Sequence, residues 1–237
     1  GGVTGGASAS GVSIITGTLT NPTNTVQTAT YVITPVSPTG CPGEVFTLTV
    51  TVDPIPVISA KEDIICSKES FVLTPVNGGG ISSDDIVPDG TRYSWSAPTV
   101  TGGIIGGAPG TLQSIITGTL TNPTNTVQTA TYFITPLSPT GCAGEVFTLT
   151  VTINPIPVIP AQRDTVCSGT TFIHTIVNDA PTTIVPVGTT YSWSAPTVTG
   201  GIIGGASASG VSIITGTLTN PTNTVQTATY VITPVSP

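Results

Sequence analysis

Charge is what this sequence has least of. Only four of its 237 residues are Lys or Arg and eleven are Asp or Glu, so charged residues make up 6% of the chain and the net charge is −7. Ordinary globular domains carry about 25% charged residues. Four cations cannot form a basic face, which argues against nucleic acid and against docking on anionic lipid. No run of ~18 apolar residues occurs, so no membrane insertion is expected. Methionine is absent, even from position 1, and no signal peptide opens the chain. With a start in mid-motif, this suggests a segment of a longer polypeptide whose targeting parts lie outside it.

Histidine is nearly absent too, with His174 alone. A Ser-His-Asp or Cys-His site therefore cannot recur along the chain. Glu44 and Glu145 each stand beside a cysteine, but paired-carboxylate catalysis would need a second recurring acid, and there is none. We expect no enzyme and no cofactor. Helical periodicity is also missing, and 28 Gly and 22 Pro would break a helix that tried to form.

What is there is repetition. "TNPTNTVQTATY" occupies Thr20 to Tyr31 and returns unchanged at Thr121 to Tyr132 and at Thr219 to Tyr230. Residues 5–38 reappear letter for letter as 204–237. The period of about 100 residues exceeds the ~20–45 of solenoid units and matches an independent β-sandwich. Strand signals agree. "VFTLTVTV" (Val45 to Val52) alternates apolar residues with Thr, the period of a half-buried strand. "TATYVITPV", "SFVLTPV", "TRYSWSAP" and "SIITGTLT" are further candidates, separated by Gly, Pro and Asn clusters that mark turns. The hydrophobic fraction of 38% is rich in β-branched residues, which is not the composition of a disordered chain.

The fold class expected is therefore all-β, as tandem Ig-like sandwiches joined by short Pro-rich linkers. "DPIPVI" (Asp53 to Ile58) and "NPIPVI" (Asn154 to Ile159) mark the boundaries, giving extended, stiff connections without ladder donors. The units are 1–53, the C-terminal half of a repeat; 54–154, a complete repeat; and 155–237, a repeat lacking its last strand. They differ mainly over Ser59 to Thr91 and Pro160 to Thr190, which read as surface loops and an early strand. Drift is the favoured explanation for these stretches, with ligand binding the alternative.

The four cysteines alternate between a "TGC-x-GE" setting (Cys41, Cys142) and an "ICS" or "VCS" setting (Cys66, Cys167). No close Cys pair supports zinc. Paired cysteines in a Thr-rich β-protein fit an oxidising, extracellular compartment. Three pairings are open. We prefer Cys66 with Cys142 inside the complete unit, leaving Cys41 and Cys167 for cysteines outside the segment. The rival pairing, Cys41 with Cys66 and Cys142 with Cys167, would have to cross a straight Pro-x-Pro junction.

"GC-x-GE-x-FTLTVTV-x-PIPVI", followed by "VCSGTT" and "TYSWSAP", resembles the PKD-like and Ig-like tandem repeats of large surface proteins of Bacteroidota. Many of those are exported by the type IX pathway and include gliding-motility adhesins. The resemblance covers the whole chain and implies a secreted, rod-forming β-sandwich. Two departures stand out. Cys66 is followed by Ser67 and Lys68 rather than Ser-Gly, and "SWSAPTVTGG" replaces the Asp- and Gly-rich motif usual after the tryptophan.

Candidate sites follow. Trp95 and Trp193 could stack on a sugar ring, but a core tryptophan on the third strand, packed near the disulfide, is the preferred reading. Tyr31, Tyr132 and Tyr230 are expected to anchor the penultimate strand, with the hydroxyl bonded to backbone at a corner. Asp84, Asp85 and Asp89 offer oxygens to Ca²⁺. The other repeat has no such cluster, and a solvated acidic loop is favoured. "NPT" at 21, 122 and 220 fails the N-glycan rule because of its proline. The resemblance implies a D-[ST]-aliphatic rule for O-glycans, which makes Thr165 in "DTV" an acceptor candidate.

The sequence thus points to a structural segment of a long extracellular adhesin or surface filament, partnered by neighbouring repeats and other copies. The alternative is a carbohydrate- or surface-binding module. A third reading is an accessory domain of a secreted hydrolase whose catalytic part lies elsewhere.

Overall fold

Alternating β-branched and Thr residues commit the chain to strands wherever a neighbouring strand is available to pair with. The computed structural model describes residues 2–79 and 84–237, and every regular element among them is a β-strand. The first unit holds β1 (Thr4–Gly5), β2 (Leu19–Thr20), β3 (Gln27–Ile33) and β4 (Phe46–Val52). Here β1 pairs with β2 and β3 with β4, both antiparallel.

The central unit contains β5 (Lys61–Cys66), β6 (Ser70–Leu73), β7 (Arg92–Trp95), β8 (Thr99–Val100), β9 (Ile105–Gly106), β10 (Gly110–Gln113), β11 (Ile116–Thr121), β12 (Gln128–Leu137) and β13 (Phe147–Asn154). They form two sheets. One runs β10-β7-β12-β13-β5, with β8 also on β12; the other runs β6-β11-β9. All pairings are antiparallel except β13 with β5. Phe71, Ile116 and Leu120 of the small sheet share a core with Tyr93, Trp95, Tyr132, Ile134, Leu149 and Val151 of the large one. This is a β-sandwich.

The third unit repeats the plan with β14 (Thr171–His174), β15 (Thr190–Trp193), β16 (Thr197–Val198), β17 (Ile203–Gly204), β18 (Ala208–Val211), β19 (Ile214–Thr219), β20 (Ala228–Thr229) and β21 (Ile232–Val235). Its small sheet is β14-β19-β17, as in the central unit. It has no counterpart of β13, and residues 162–167, the equivalents of β5, stay irregular without that partner.

The linkers differ from expectation in one respect. Their prolines donate nothing, but the valine that follows each Pro-x-Pro does. Val57 exchanges backbone hydrogen bonds of 2.9 and 2.8 Å with Ile86, and Val158 does the same with Ile184. Pro54, Pro56 and Ile58 are buried on alternate positions. The linker is thus a strand-like segment seated on the following unit.

Candidate functional site

The recurring "TNPTNT" is built around its first asparagine, which follows β11. Asn122 is 1% exposed. Its Nδ2 donates to the carbonyls of Thr126 (2.7 Å) and Ile153 (3.0 Å). Its Oδ1 accepts from the backbone N–H and hydroxyl of Thr124 at 2.9 and 2.8 Å. One side chain thus closes its own turn and ties it to the end of β13. Asn21 repeats the pattern onto Thr25 and Val52. With every polar atom engaged, this asparagine is structural and has nothing left for a ligand.

A serine completes the arrangement, and the sequence reading missed it. The backbone N–H of Asn122 donates to Ser67 Oγ at 2.9 Å, and that of Asn220 donates to Ser168 Oγ at 2.9 Å. The signal is present in the sequence, since both "CS" dipeptides hold this serine. Lys68 then adopts φ +74°, where the other repeat places Gly169 at φ +80°. The departure from Ser-Gly thus leaves a non-glycine residue in the left-handed region.

Trp95 on β7 and Trp193 on β15 are buried, with Nε1 donating to the carbonyls of Ala108 (3.1 Å) and Ala206 (3.0 Å). Neither can stack on a sugar, and neither lies against a disulfide. Tyr132 is 1% exposed on β12, and Tyr230 and Tyr31 hold the same place in their units. The expected backbone bond of the hydroxyl does not form: the Tyr132 and Tyr230 hydroxyls have no hydrogen-bond partner. The reason is glycine. A Cβ on Gly107 would come 2.8 Å from the Tyr132 hydroxyl, and one on Gly205 2.7 Å from that of Tyr230. The ring fills a space left by glycines, and no acceptor faces it. Burial pushes the Tyr132 phenol up to about 12.

The acidic loop also departs from expectation. Residues 80–83 lie outside the described residues. Asp84 and Asp89 are exposed, but Asp85 is 4% exposed and is no part of a solvated loop. Its Oδ1 accepts from the Ser59 N–H and hydroxyl, each at 2.8 Å, and its Oδ2 meets Lys61 Nζ at 2.5 Å. Burial pushes the carboxyl upward, but the hydrogen bonds from Lys61 and Ser59 and the lysine's charge outweigh it and hold Asp85 below its ordinary value. A lysine ammonium therefore stands where Ca²⁺ was considered, and Asp84, Asp85 and Asp89 do not converge. No group of three His, Cys, Asp or Glu suited to a metal occurs among the described residues.

The preferred disulfide is corrected as well. No cysteine sulfur is bonded to another in the structure. Cys66 pairs across from Asn154, at the end of β13. Cys142 lies in the turn at its other end, next to Ala143, which bridges Leu137. Gln128, opposite Ile153, and Leu137 mark the two ends of β12. At ~3.4 Å per residue that strand spans about 30 Å. A disulfide needs Cα atoms within ~7 Å. Cys66 and Cys142 cannot meet.

Thr165 is exposed, and its N–H donates to Asp164 Oδ1 at 3.0 Å. His174 Nδ1 lies 3.4 Å from Asp164 Oδ2, with no nucleophile hydrogen-bonded to the ring. Glu44 and Glu145 are exposed on their turns. A cleft of about 430 Å³ lies where Asn24 of the first unit approaches Asn77, Asp89 and Arg92 of the central one.

These observations define a class: tandem β-sandwich units whose recurring asparagine, tryptophan and tyrosine are built into the fold. The chain matches the PKD-like domain family over residues 1–56, 64–157 and 163–237, and it belongs to that family. PKD-like domains commonly occur in extracellular proteins and suggest a structural or binding module; the Ig-type fold is generally non-enzymatic. No curated protein is matched by the sequence.

Proposed function

We propose that this chain is a structural repeat segment of a long extracellular adhesin or surface filament, serving as a stiff stalk or fibre building block. One observation carries the reading. Both junctions are made in the same way, with the linker valine bridged to the loop before the third strand of the next unit, Val57 to Ile86 and Val158 to Ile184. A linker seated in the same way on each following unit leaves one fewer hinge between units, which favours a rod. Partners are then neighbouring repeats and further copies of the chain. Export by the type IX pathway of Bacteroidota rests on the motif resemblance, and Thr165 is the O-glycan acceptor it points to.

The test is length. Small-angle scattering of chains with increasing numbers of units is expected to give a maximum dimension rising in proportion to unit number. A radius of gyration following the compact-globule law, roughly N to the power 0.38, would overturn the stalk. A second reading, a carbohydrate- or surface-binding module, is favoured by the cleft alone. Its Asp89 and Arg92 belong to the central unit and are Val187 and Thr190 in the third. Glycan-array binding lost in Asp89→Ala and Arg92→Ala would select it.

A further inference from the structure

Lys61, Asp85 and Ser59 form a group that the fold does not require. The third unit keeps the sandwich and the linker bridge while carrying Gln162, Thr183 and Pro160 at the corresponding places. In the central unit, the first residue of β5 meets the loop between β6 and β7 with both charged side chains withdrawn from water. The Lys61 side chain is 15% exposed and that of Asp85 2%. Lys61 Nζ donates to Asp85 Oδ2 at 2.5 Å and to Ser59 Oγ at 3.1 Å.

We propose that Lys61 and Asp85 are the site of an intramolecular isopeptide bond, an amide between Lys61 Nζ and Asp85 Cγ. The two oxygens of Asp85 have different surroundings, which gives them different parts in such a condensation. Oδ1 lies between two donors at 2.8 Å, the Ser59 N–H and Oγ–H. That is the geometry of an oxyanion hole, which stabilises the negative oxygen of a tetrahedral intermediate. Oδ2 faces the amine and is the leaving oxygen.

A proton passing from the ammonium to Oδ2 along the short contact leaves a neutral amine beside a neutral carboxyl. The nitrogen lone pair attacks Cγ to form the C–N bond, and the C–Oδ2 bond breaks. Oδ2 departs as water with two of the three ammonium protons, and the third stays on the amide nitrogen. The atoms balance, and no oxidant or co-reactant is needed. Two physical effects favour the product. Holding the partners in contact raises their effective concentration to about 10⁵ M or more. The amide also removes two buried charges whose desolvation is costly. The bond would fix the start of β5 to a loop already held by the Val57–Ile86 bridge. Under the stalk reading this would resist unfolding by a pulling force, but the bond itself can be tested without that reading.

The experiment is mass spectrometry of the purified 237-residue chain, denatured and reduced. The expected intact mass is lower than the sequence mass by one water. Trypsin is expected to spare the acylated Lys61, so residues 1–68 and 69–92 emerge as one branched species. Asp85→Ala and Lys61→Arg are expected to restore the full mass, and Lys61→Arg keeps the ion pair, which separates the bond from the charge contact. Full sequence mass in most wild-type molecules, with separate peptides 1–61, 62–68 and 69–92, would overturn the proposal. The wild-type mass decides the matter even if Asp85→Ala does not fold.

Discussion

Tyr132 and Tyr93 carry alkaline pH into the core of the central unit. Burial raises the Tyr132 phenol from 10.0 to about 12; Tyr93 is raised to about 12 as well, by burial first and then by the charge of Asp85. A folded value above the unfolded one contributes stability that is complete below pH ~10. It is lost as pH rises through about 12, because the unfolded chain releases the proton first. Urea titrations stepped from neutral to strongly alkaline pH are expected to show stability falling across that window. Tyr132→Phe is expected to flatten the fall. It should also be neutral or stabilising by about 1 kcal/mol at pH 7, since the hydroxyl it removes is buried without a partner. A loss of more than about 1 kcal/mol in that variant would show that the hydroxyl is bonded after all. In chains whose Asp85 carboxylate is still free, that group acts at the acid end with the opposite sign. The lowered Asp85 value contributes stability that is present above the unfolded carboxylate value and is lost as pH falls through the folded one.

At the scale of the element, one hexapeptide makes the argument. "FTLTVT" occurs at Phe46 to Thr51 and again at Phe147 to Thr152. In β13 its apolar residues are sealed, with Leu149 and Val151 at 0% exposure; in β4 Phe46 is 48% exposed and Leu48 36%. The difference is neighbours. β13 lies between β12 and β5 and faces the second sheet, while β4 pairs with β3 alone. Leu149→Ala is therefore expected to cost about 2–5 kcal/mol, as filled core positions do. Leu48→Ala should cost under about 1 kcal/mol. Thermal unfolding of the two variants checks this, and equal losses would mean that β4 is covered as β13 is. The same contrast explains what could be read beforehand. Alternation gave the strands, and the triple copy of "TNPTNT" gave the turn, because both are local. Which copy of a strand is buried depends on partners far along the chain. The Lys61–Asp85 contact joins residues 24 apart in one unit only, so no pattern announced it. The Tyr132 hydroxyl was misjudged because its surroundings are glycines from β9–β10 and β11 brought in by the second sheet.

For the whole molecule, the cysteines show how units relate to one another. Each setting has a fixed place: "CS" at the end of the first strand, opposite the last residue of β13, and "GC" in the turn at the far end of that sheet. Gly144, two residues beyond Cys142, sits so close to the linker that a Cβ on it would overlap the Pro56 carbonyl. The central unit thus presents one thiol at the end facing its linker and the other about 30 Å away. A disulfide made by these residues would join different units or different chains; it could not close one sandwich. The 237-residue monomer is accordingly expected to titrate four thiols after denaturation, even when purified without reductant. Mild oxidation should give slower, cross-linked species on a non-reducing gel, with no faster-migrating monomer. A tryptic map that joins the peptide holding Cys66 to the peptide holding Cys142 within one chain would refute this. It would require the two ends of β13 to meet, and with them the sandwich described here would have to be redrawn.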